Sequence, residues 1–450
     1  MLVVAQALLF GRLAGTDTDY DEGVYLASVD ALEHGQKLGE DVFAAQPPAF
    51  YLLLRLISAL GADTVRGFHW GMVAVAVLAC LAAFLLGRAI AGPLAGLGAS
   101  ALLTIAPSFT LIAHQVLADV PPLTFSLLAF WLAWEAQKRA RVGAVGAAGG
   151  AALALAIAVK PNAALALPTF FLLLLWRNSR RGRALVGALG GAAAVSAILV
   201  IAYREVLGEL WESVVTYHRD ARDTPAVVDR SQELALFLDW KTPFAWLFVA
   251  GLAASVQLLR RRSEPVWALW AWAAVSLGFV AFHHPLHHTH LVVVPVAFAT
   301  PAAIGLAALA RSVRPKAAAV GVLALLLAAG YVQQHRRLAV AEVPENPELV
   351  AAAESLRRLT APDDFVVSDH PLVAFLADRR VWGPLVDTAT LRFQTGSLTQ
   401  EEVLRELEAG EVAAVVIGQS FVRQRTVLVG VRARYRGVAL HRGVSIWVRR

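Results

Sequence analysis

The sequence predicts a polytopic α-helical membrane protein of about eleven spans with a small extracytoplasmic α/β domain at its C-terminal end. Three observations carry that prediction. Hydrophobic residues make up 58% of the 450 positions and charged residues only 16%, against roughly 25% in soluble chains. The apolar residues come in long blocks, several of which run far enough without a charge to cross about 30 Å of hydrocarbon. Beyond position 341 the composition changes, and residues 342–450 hold 14 basic and 14 acidic side chains. A single cysteine, Cys80, lies inside an apolar block, so no disulfide can form within the chain. The formal net charge of +6 comes mostly from arginine clusters between the blocks. It reads as cytoplasmic anchoring and argues for no nucleic-acid partner.

Taken in order, the blocks are Leu2–Ala14, Gly67–Gly87, Ala91–Ala113, Val120–Trp134, Val142–Val159, Pro161–Trp176, Ala184–Tyr203, Thr242–Leu259, Pro265–Phe282, Leu291–Ala310 and Ala317–Gln334. Placing the N-terminus inside makes the turns at 88, 138–141, 177–183, 260–262 and 311–316 cytoplasmic, where they hold fourteen basic residues. The odd number of spans then puts everything after Gln334 outside the cytoplasmic membrane. The first block is short and lacks the basic n-region of a cleaved signal peptide, so it is read either as a tilted span or as a span whose true start lies upstream. The stretch Val142–Trp176 is interrupted only by Lys160-Pro161-Asn162, and the Arg clusters at its two ends share a side. It is therefore a hairpin with Lys160 at the outer tip.

Two domains follow, residues 1–341 in the membrane and 342–450 outside it, with external loops at 16–66 and 204–241. Within the first loop, Glu22–Gly35 and Pro48–Leu60 have helical patterns and are expected to lie along the membrane surface. In the tail, Asn346-Pro347 has the N-cap and N1 residues of a helix start. Asp364–Asp369 and Val412–Gly418 read as buried strands. Thr399-Gln400-Glu401-Glu402 is a capping box for a helix ended by Gly410. Strand and helix alternate, which favours a small α/β layer.

The chemistry-bearing residues gather at the outer ends of the spans. Asp17, Asp19, Asp21 and Glu22 crowd four carboxylates into six positions, an arrangement that needs a cation or a retained proton. Asp119, ahead of Val120-Pro121-Pro122, either caps the fourth span or faces a wet cavity. Lys160 either snorkels to headgroups or reaches inward to a phosphate. Five histidines fall within eight positions from His283 to His290. Their spacing fits no zinc motif, and hydrogen-bonding or phosphate-facing roles rank above a metal. The segment Tyr217–Asp223 is either a lid over a charged ligand or a solvated turn. Carboxylate oxygens of the acidic run would suit Mg²⁺ or Mn²⁺, so a divalent cation is possible and no cofactor is firm. No Gly-rich loop of the P-loop or Rossmann kind occurs.

The order and sidedness of these motifs resemble a family. An Asp-Glu pair follows the first span, with Tyr25 three residues on. Gln46-Pro47-Pro48-Ala49-Phe50-Tyr51, Asp119-Val120-Pro121 and a terminal soluble domain come after it. This looks like the GT-C superfamily of polyprenyl-phosphate-sugar-dependent glycosyltransferases, in its protein O-mannosyltransferase and aminoarabinose-transferase-like branch. The resemblance implies a polyprenyl-phosphate-linked monosaccharide donor, an inverting transfer to a hydroxyl acceptor, and catalysis at the external membrane face among membrane lipids. Asp21 matches the essential first-loop aspartate and Glu22 its neighbour, while Asp119 matches the second-loop acid. Gln46 stands where members often carry Lys or His, and Lys160 resembles a basic residue at the outer end of a later helix. His287, His288 and His290 fall where a basic or aromatic stretch precedes a Pro-containing span.

The residues make chemical sense on these terms. A sugar held to phosphate through its anomeric carbon needs a carboxylate to take the acceptor's proton and cations to hold the departing phosphate. Asp21 is the expected base. Lys160, with a histidine or arginine of the outer loops, is the expected phosphate partner. The expected substrate-binding set is Glu22, Tyr25, Gln46, Asp119, Lys160, His288 and His290. The rival readings are a transporter or flippase for a lipid-linked or anionic solute, and a non-catalytic scaffold. A transporter favours ionisable groups near the bilayer midplane and paired broken helices, and a scaffold leaves the outer acids unexplained.

Overall fold

The computed structural model describes residues 2–16, 18–138, 140–176, 178–224, 242–261, 266–341, 346–409, 411–441 and 443–450. Asp17 of the acidic run, Gly410 and positions 225–241 of the second loop lie outside them. Each of the eleven apolar blocks is helical. Val65–Ala91, Val142–Val159, Arg181–Ala202, His288–Ser312 and Lys316–Ala341 are long and apolar enough to cross a membrane, and the other six are shorter. The expected third span breaks into Pro93–Thr104 and Pro107–Ile112. Pro107 lacks the N–H that would continue the ladder and holds Ala106 extended, ψ 119°.

Small residues bring the helices together. A Cβ on Gly150 would strike the Ala188 carbonyl, and one on Gly187 the Gly143 carbonyl, so Arg181–Ala202 lies directly on Val142–Val159. The remaining surface of Arg181–Ala202 is apolar and open, with Val186 and Ile201 about two-thirds exposed or more (72% and 67%). That suits lipid contact better than water.

The tail builds a five-stranded sheet in the order β2-β1-β3-β5-β4. Its strands are β1 (Phe365–Ser368), β2 (Arg380–Val381), β3 (Ala414–Ile417), β4 (Tyr435–His441) and β5 (Val444–Arg449). The first three are parallel and the last two antiparallel. β1 and β3 fall on the two strands expected from the sequence and pair side by side. The expected helix starts are also present. Asn346 accepts from the N–H of Glu348 at 3.1 Å, and Thr399 and Glu402 exchange backbone bonds at 2.8 and 3.2 Å.

The first loop departs from expectation. Pro48–Ala59 keeps an exposed apolar edge at Leu52 and Leu56. Tyr20–Glu33 does not lie on the membrane surface. Nearly every residue from Glu22 to Leu32 is buried. Val24, Leu26 and Val29 share one hydrophobic core with Leu117 and Ala118 on the membrane side, and with Leu372, Val366 and Ile446 of the tail. The helix is a layer between the two.

Gly23 makes that contact possible, because a Cβ there would meet the Leu372 backbone nitrogen at 2.8 Å. The Gln36 side-chain amide fastens the same junction. It donates to the Val381 carbonyl at 2.9 Å and accepts from the Gly383 N–H at 3.0 Å. Gly23→Val should cost about 1–3 kcal/mol through overpacking and lower the thermal midpoint of the full chain. Gly190→Val, with open space around its Cβ, should leave it nearly unchanged. Equal midpoints for the two variants would refute the packing argument.

Candidate active site

Two chain segments first meet at Lys160. Pro161 disfavours helical backbone at the residue before it, so Val142–Val159 ends and Lys160 is extended, φ −151° and ψ 122°. Its ammonium donates to Asp119 Oδ1 at 2.8 Å, and the two side chains are only 16% and 9% exposed. Asp119 precedes Val120–Ala136, whose first turn carries Pro121, but its carboxylate makes no capping bond. Of the two sequence readings of Asp119, geometry removes the N-cap.

Asp21 comes from the first loop. Asp19 caps Tyr20–Glu33, accepting from the Tyr20 N–H at 2.6 Å, while its own N–H donates to Glu22 Oε1 at 3.2 Å. Asp21 is thereby held in the first helical turn, solvent-accessible but with protein crowded around it. That surrounding protein is the main cause that pushes its pKa up to about 7. Asp19 and Asp387 raise it further, Lys160 pulls it down, and Asp119 adds a smaller rise. The protonatable group that the crowded carboxylates require is thus Asp21 itself. Asp21, Asp119 and Lys160 share one electrostatic site.

The sequence reading misses the contribution of the tail to this site. Tyr20 donates to Asp387 Oδ1 at 3.4 Å and accepts from the Thr388 N–H at 3.1 Å. Arg392 lies 3.7 Å above the Phe43 ring and donates to the Asp387 carbonyl at 2.5 Å. Tyr217 is buried and packs edge-on against Phe43, centroids 5.7 Å apart, while His218, Arg219, Asp220 and Arg222 of the same segment are exposed. No spacing pattern links Asp387 to Asp21 in the sequence. Only the packing of the tail on the first loop does.

Several expected substrate contacts are spent internally. Glu22 is fully buried. It accepts from His69 Nε2 at 3.0 Å and from the Val116 N–H at 2.7 Å. Gly15 N–H donates to His69 Nδ1 at 3.0 Å, so that nitrogen carries no proton and His69 is a neutral donor to Glu22. Burial drives the Glu22 pKa upward, but the hydrogen bond from His69 and its other partners outweigh it and hold the group below its ordinary value. Glu22 is therefore a positioning residue that ties the end of the first span, the helix carrying Asp21 and the segment before Asp119 together. His114 packs edge-on against His69 at 4.9 Å, and burial lowers its pKa to about 4.

Gln46 donates to the Tyr25 hydroxyl at 3.0 Å, and both residues are buried. The pair forms structure behind Asp21. Of the histidines, His290 lines a narrow crevice with Asp119, Asn162, Leu123, Trp272 and Phe279. His288 is exposed and does not line it, because the short helical turn His288–Val292 directs alternate residues to different sides. Among the described residues, no group of three or more His, Cys, Asp or Glu is arranged to hold a metal ion.

Comparison with known proteins bears on this arrangement. The model of the family described as dolichyl-phosphate-mannose-protein mannosyltransferase matches residues 45–203, a stretch that contains Gln46, Asp119 and Lys160. ArnT from Cupriavidus metallidurans, solved bound to undecaprenyl phosphate, superposes with a TM-score of 0.71 at 16% identity, covering 99% of this chain and 96% of that one. The chain resembles GT-C glycosyltransferases. Two further GT-C structures match. They are the oligosaccharyltransferase AglB from Archaeoglobus fulgidus, in complex with an inhibitory peptide and a dolichol-phosphate (TM-score 0.56, 15% identity, 100% and 74% covered), and arabinofuranosyltransferase AftD from Mycobacteria (0.56, 15%, 99% and 39%). A comparison with curated protein sequences found no match. With a GT-C fold and its apolar helices, the chain is a multi-pass membrane protein.

The raised pKa of Asp21 has a stability consequence. The folded state retains a proton that the unfolded chain releases near pH 4, so ionising Asp21 costs stability progressively from about pH 4 to about pH 7. Asp21→Asn should therefore raise the thermal midpoint at pH 8 and change it little at pH 4. Glu22→Gln should do the reverse, lowering the midpoint at pH 7 and losing that deficit as the pH falls through the depressed Glu22 pKa. Thermal scans of Asp21→Asn at pH 4 and 8, and of Glu22→Gln in steps from pH 7 down to about pH 2, check the two signs.

Proposed function

We propose that this protein is an inverting glycosyltransferase that moves a monosaccharide, a hexose or pentose, from a polyprenyl-phosphate carrier to a hydroxyl acceptor at the outer face of the cytoplasmic membrane. The observation that carries the reading is the convergence of Asp21 with the Lys160–Asp119 ion pair. The polyprenyl phosphates named for ArnT and AglB supply the donor class. The fourteen basic residues of the opposite turns support the outer orientation.

In this reading the acceptor oxygen attacks the anomeric carbon from the side opposite the phosphate, and its proton passes to the Asp21 carboxylate. The bond from the anomeric carbon to the phosphate oxygen breaks, and the electron pair leaves with polyprenyl phosphate. Lys160 neutralises the departing oxyanion. Asp119 keeps the ammonium in place before the donor arrives. Leu123, Trp272, Phe279 and His290 line the narrow crevice beside Asp119. A base titrating near pH 7 suits proton abstraction at neutral pH. Acids and lysine gathered at one end of the helices fit this reaction better than a transport path across the midplane.

Asp21→Asn should lower release of polyprenyl phosphate from a polyprenyl-phosphate sugar by about 10²–10⁴-fold in a variant that still folds and inserts. Undiminished release eliminates the assigned base. In the parent protein the rate should rise with pH through about 7 as Asp21 ionises. Lys160→Ala should slow release, and Lys160→Arg should restore part of it. A loss confined to donor KM in Lys160→Ala would assign the lysine to ground-state binding alone.

A further inference from the structure

Tyr20 has a second environment. Besides meeting Asp387 beside the candidate site, it forms one wall of an open cleft of about 360 Å³ whose other walls are Ala389, Thr390, Gln419, Ser420 and Arg423 of the tail. Nothing in the proposed reaction uses these tail residues.

The cleft is built from buried supports. Asp369, fully buried at the end of β1, accepts the N–H groups of Gly418, Gln419 and Phe421 at 2.5, 3.0 and 2.8 Å. The turn that presents Gln419, Ser420 and Arg423 is therefore pinned from beneath. The hydroxyls of Thr390 and Ser420 lie 3.3 Å apart and join the two tail segments across the cleft. The bonds from Tyr20 to Asp387 and Thr388 fasten the third wall. Arg423 is exposed and makes no ion pair among the described residues. A guanidinium, two hydroxyls, a carboxamide and an aromatic ring around one opening match an anionic polyol. The guanidinium takes a phosphate or carboxylate, the hydroxyls and amide take hydroxyl groups, and the ring covers an apolar sugar face.

We infer that this cleft between Tyr20 and the tail is the acceptor site, and that the acceptor is a sugar or lipid headgroup carrying hydroxyls together with a phosphate or carboxylate bound by Arg423. The inference rests on the transferase reading and adds the acceptor class to it. Tyr20 is the residue before Asp21, and neighbouring Cα atoms are about 3.8 Å apart. The Tyr20 hydroxyl meets Asp387 at 3.4 Å, and Asp387 in turn acts on the Asp21 carboxylate, so the cleft adjoins the base through that shared neighbour. The tail thereby acquires a role, since four of its side chains decide what is glycosylated.

Cys80 is the one cysteine of the chain and is buried, so Gln419→Cys places a single accessible thiol at the cleft. Its maleimide labelling rate is measured on the full chain in phosphatidylcholine nanodiscs with glucose 6-phosphate, with glucose, or with phosphatidylinositol added to the disc. Glucose 6-phosphate or phosphatidylinositol should slow labelling where glucose does not. Adding Arg423→Ala should raise the half-protecting concentration at least about tenfold, the loss of one charge-assisted hydrogen bond, and Arg423→Lys should recover part of it. Protection by glucose 6-phosphate assigns a soluble anionic saccharide, and protection by phosphatidylinositol alone assigns a lipid headgroup. Equal protection by glucose, protection unchanged in Arg423→Ala, or no protection by either anion overturns the inference. Labelling needs no turnover, so it can fail while the Asp21→Asn assay still upholds the transferase reading.

Discussion

Lys160 stands largely buried at the end of an apolar helix, and its ammonium is held by Asp119, 2.8 Å away. Removing either partner would leave a largely buried charge without compensation, at a cost of about 3–5 kcal/mol. The pair therefore fixes where the hairpin tip and the start of Val120–Ala136 must sit relative to each other. Two prolines prepare it. Pro161 stops the helix at Lys160, and Pro121 starts the next helix just after Asp119 without asking for a hydrogen bond that is missing there. Everything proposed about phosphate recognition depends on that fixed cation.

The second carboxylate is placed by a different device. Glu22, adjacent to Asp21, turns inward and binds His69 and the Val116 backbone, while Asp21 turns toward water. Two neighbouring acids thus have opposite fates within one helical turn, one buried and held ionised, the other accessible with its pKa raised to about 7. The tail completes the arrangement, because Asp387 reaches Tyr20 and adds negative potential at Asp21. The core shared by the first loop and the sheet makes the C-terminal layer part of the same rigid structure as the candidate site.

Long-range features were legible to the degree that they rest on local pattern. The eleven apolar blocks, the helix starts at Asn346 and Thr399 and the strands at β1 and β3 were all readable from composition, caps and hydrophobic runs. Lys160 at a hairpin tip was readable because Pro161 and the flanking arginines leave no other geometry. The burial of Tyr20–Glu33 was not, since its amphipathic pattern is equally that of a membrane-surface helix, and only the arrival of Leu372 at Gly23 covers the second face. The hairpin of β4 and β5 was also missed. β4 is an edge strand with exposed residues on both faces, and it lacks the alternation that marks a half-buried strand.

The sequence by itself determined that this is a membrane-embedded helical protein with acids gathered at one end of its helices and an α/β tail, because hydrophobic length, charge sidedness and capping are properties of neighbouring residues. The tertiary structure alone decided which of those acids faces water, which is consumed in holding the helices, and that Asp387 joins them. Burial and the electrostatic potential at a carboxylate depend on what packs around it in space, and those partners come from segments 41 to 367 residues apart.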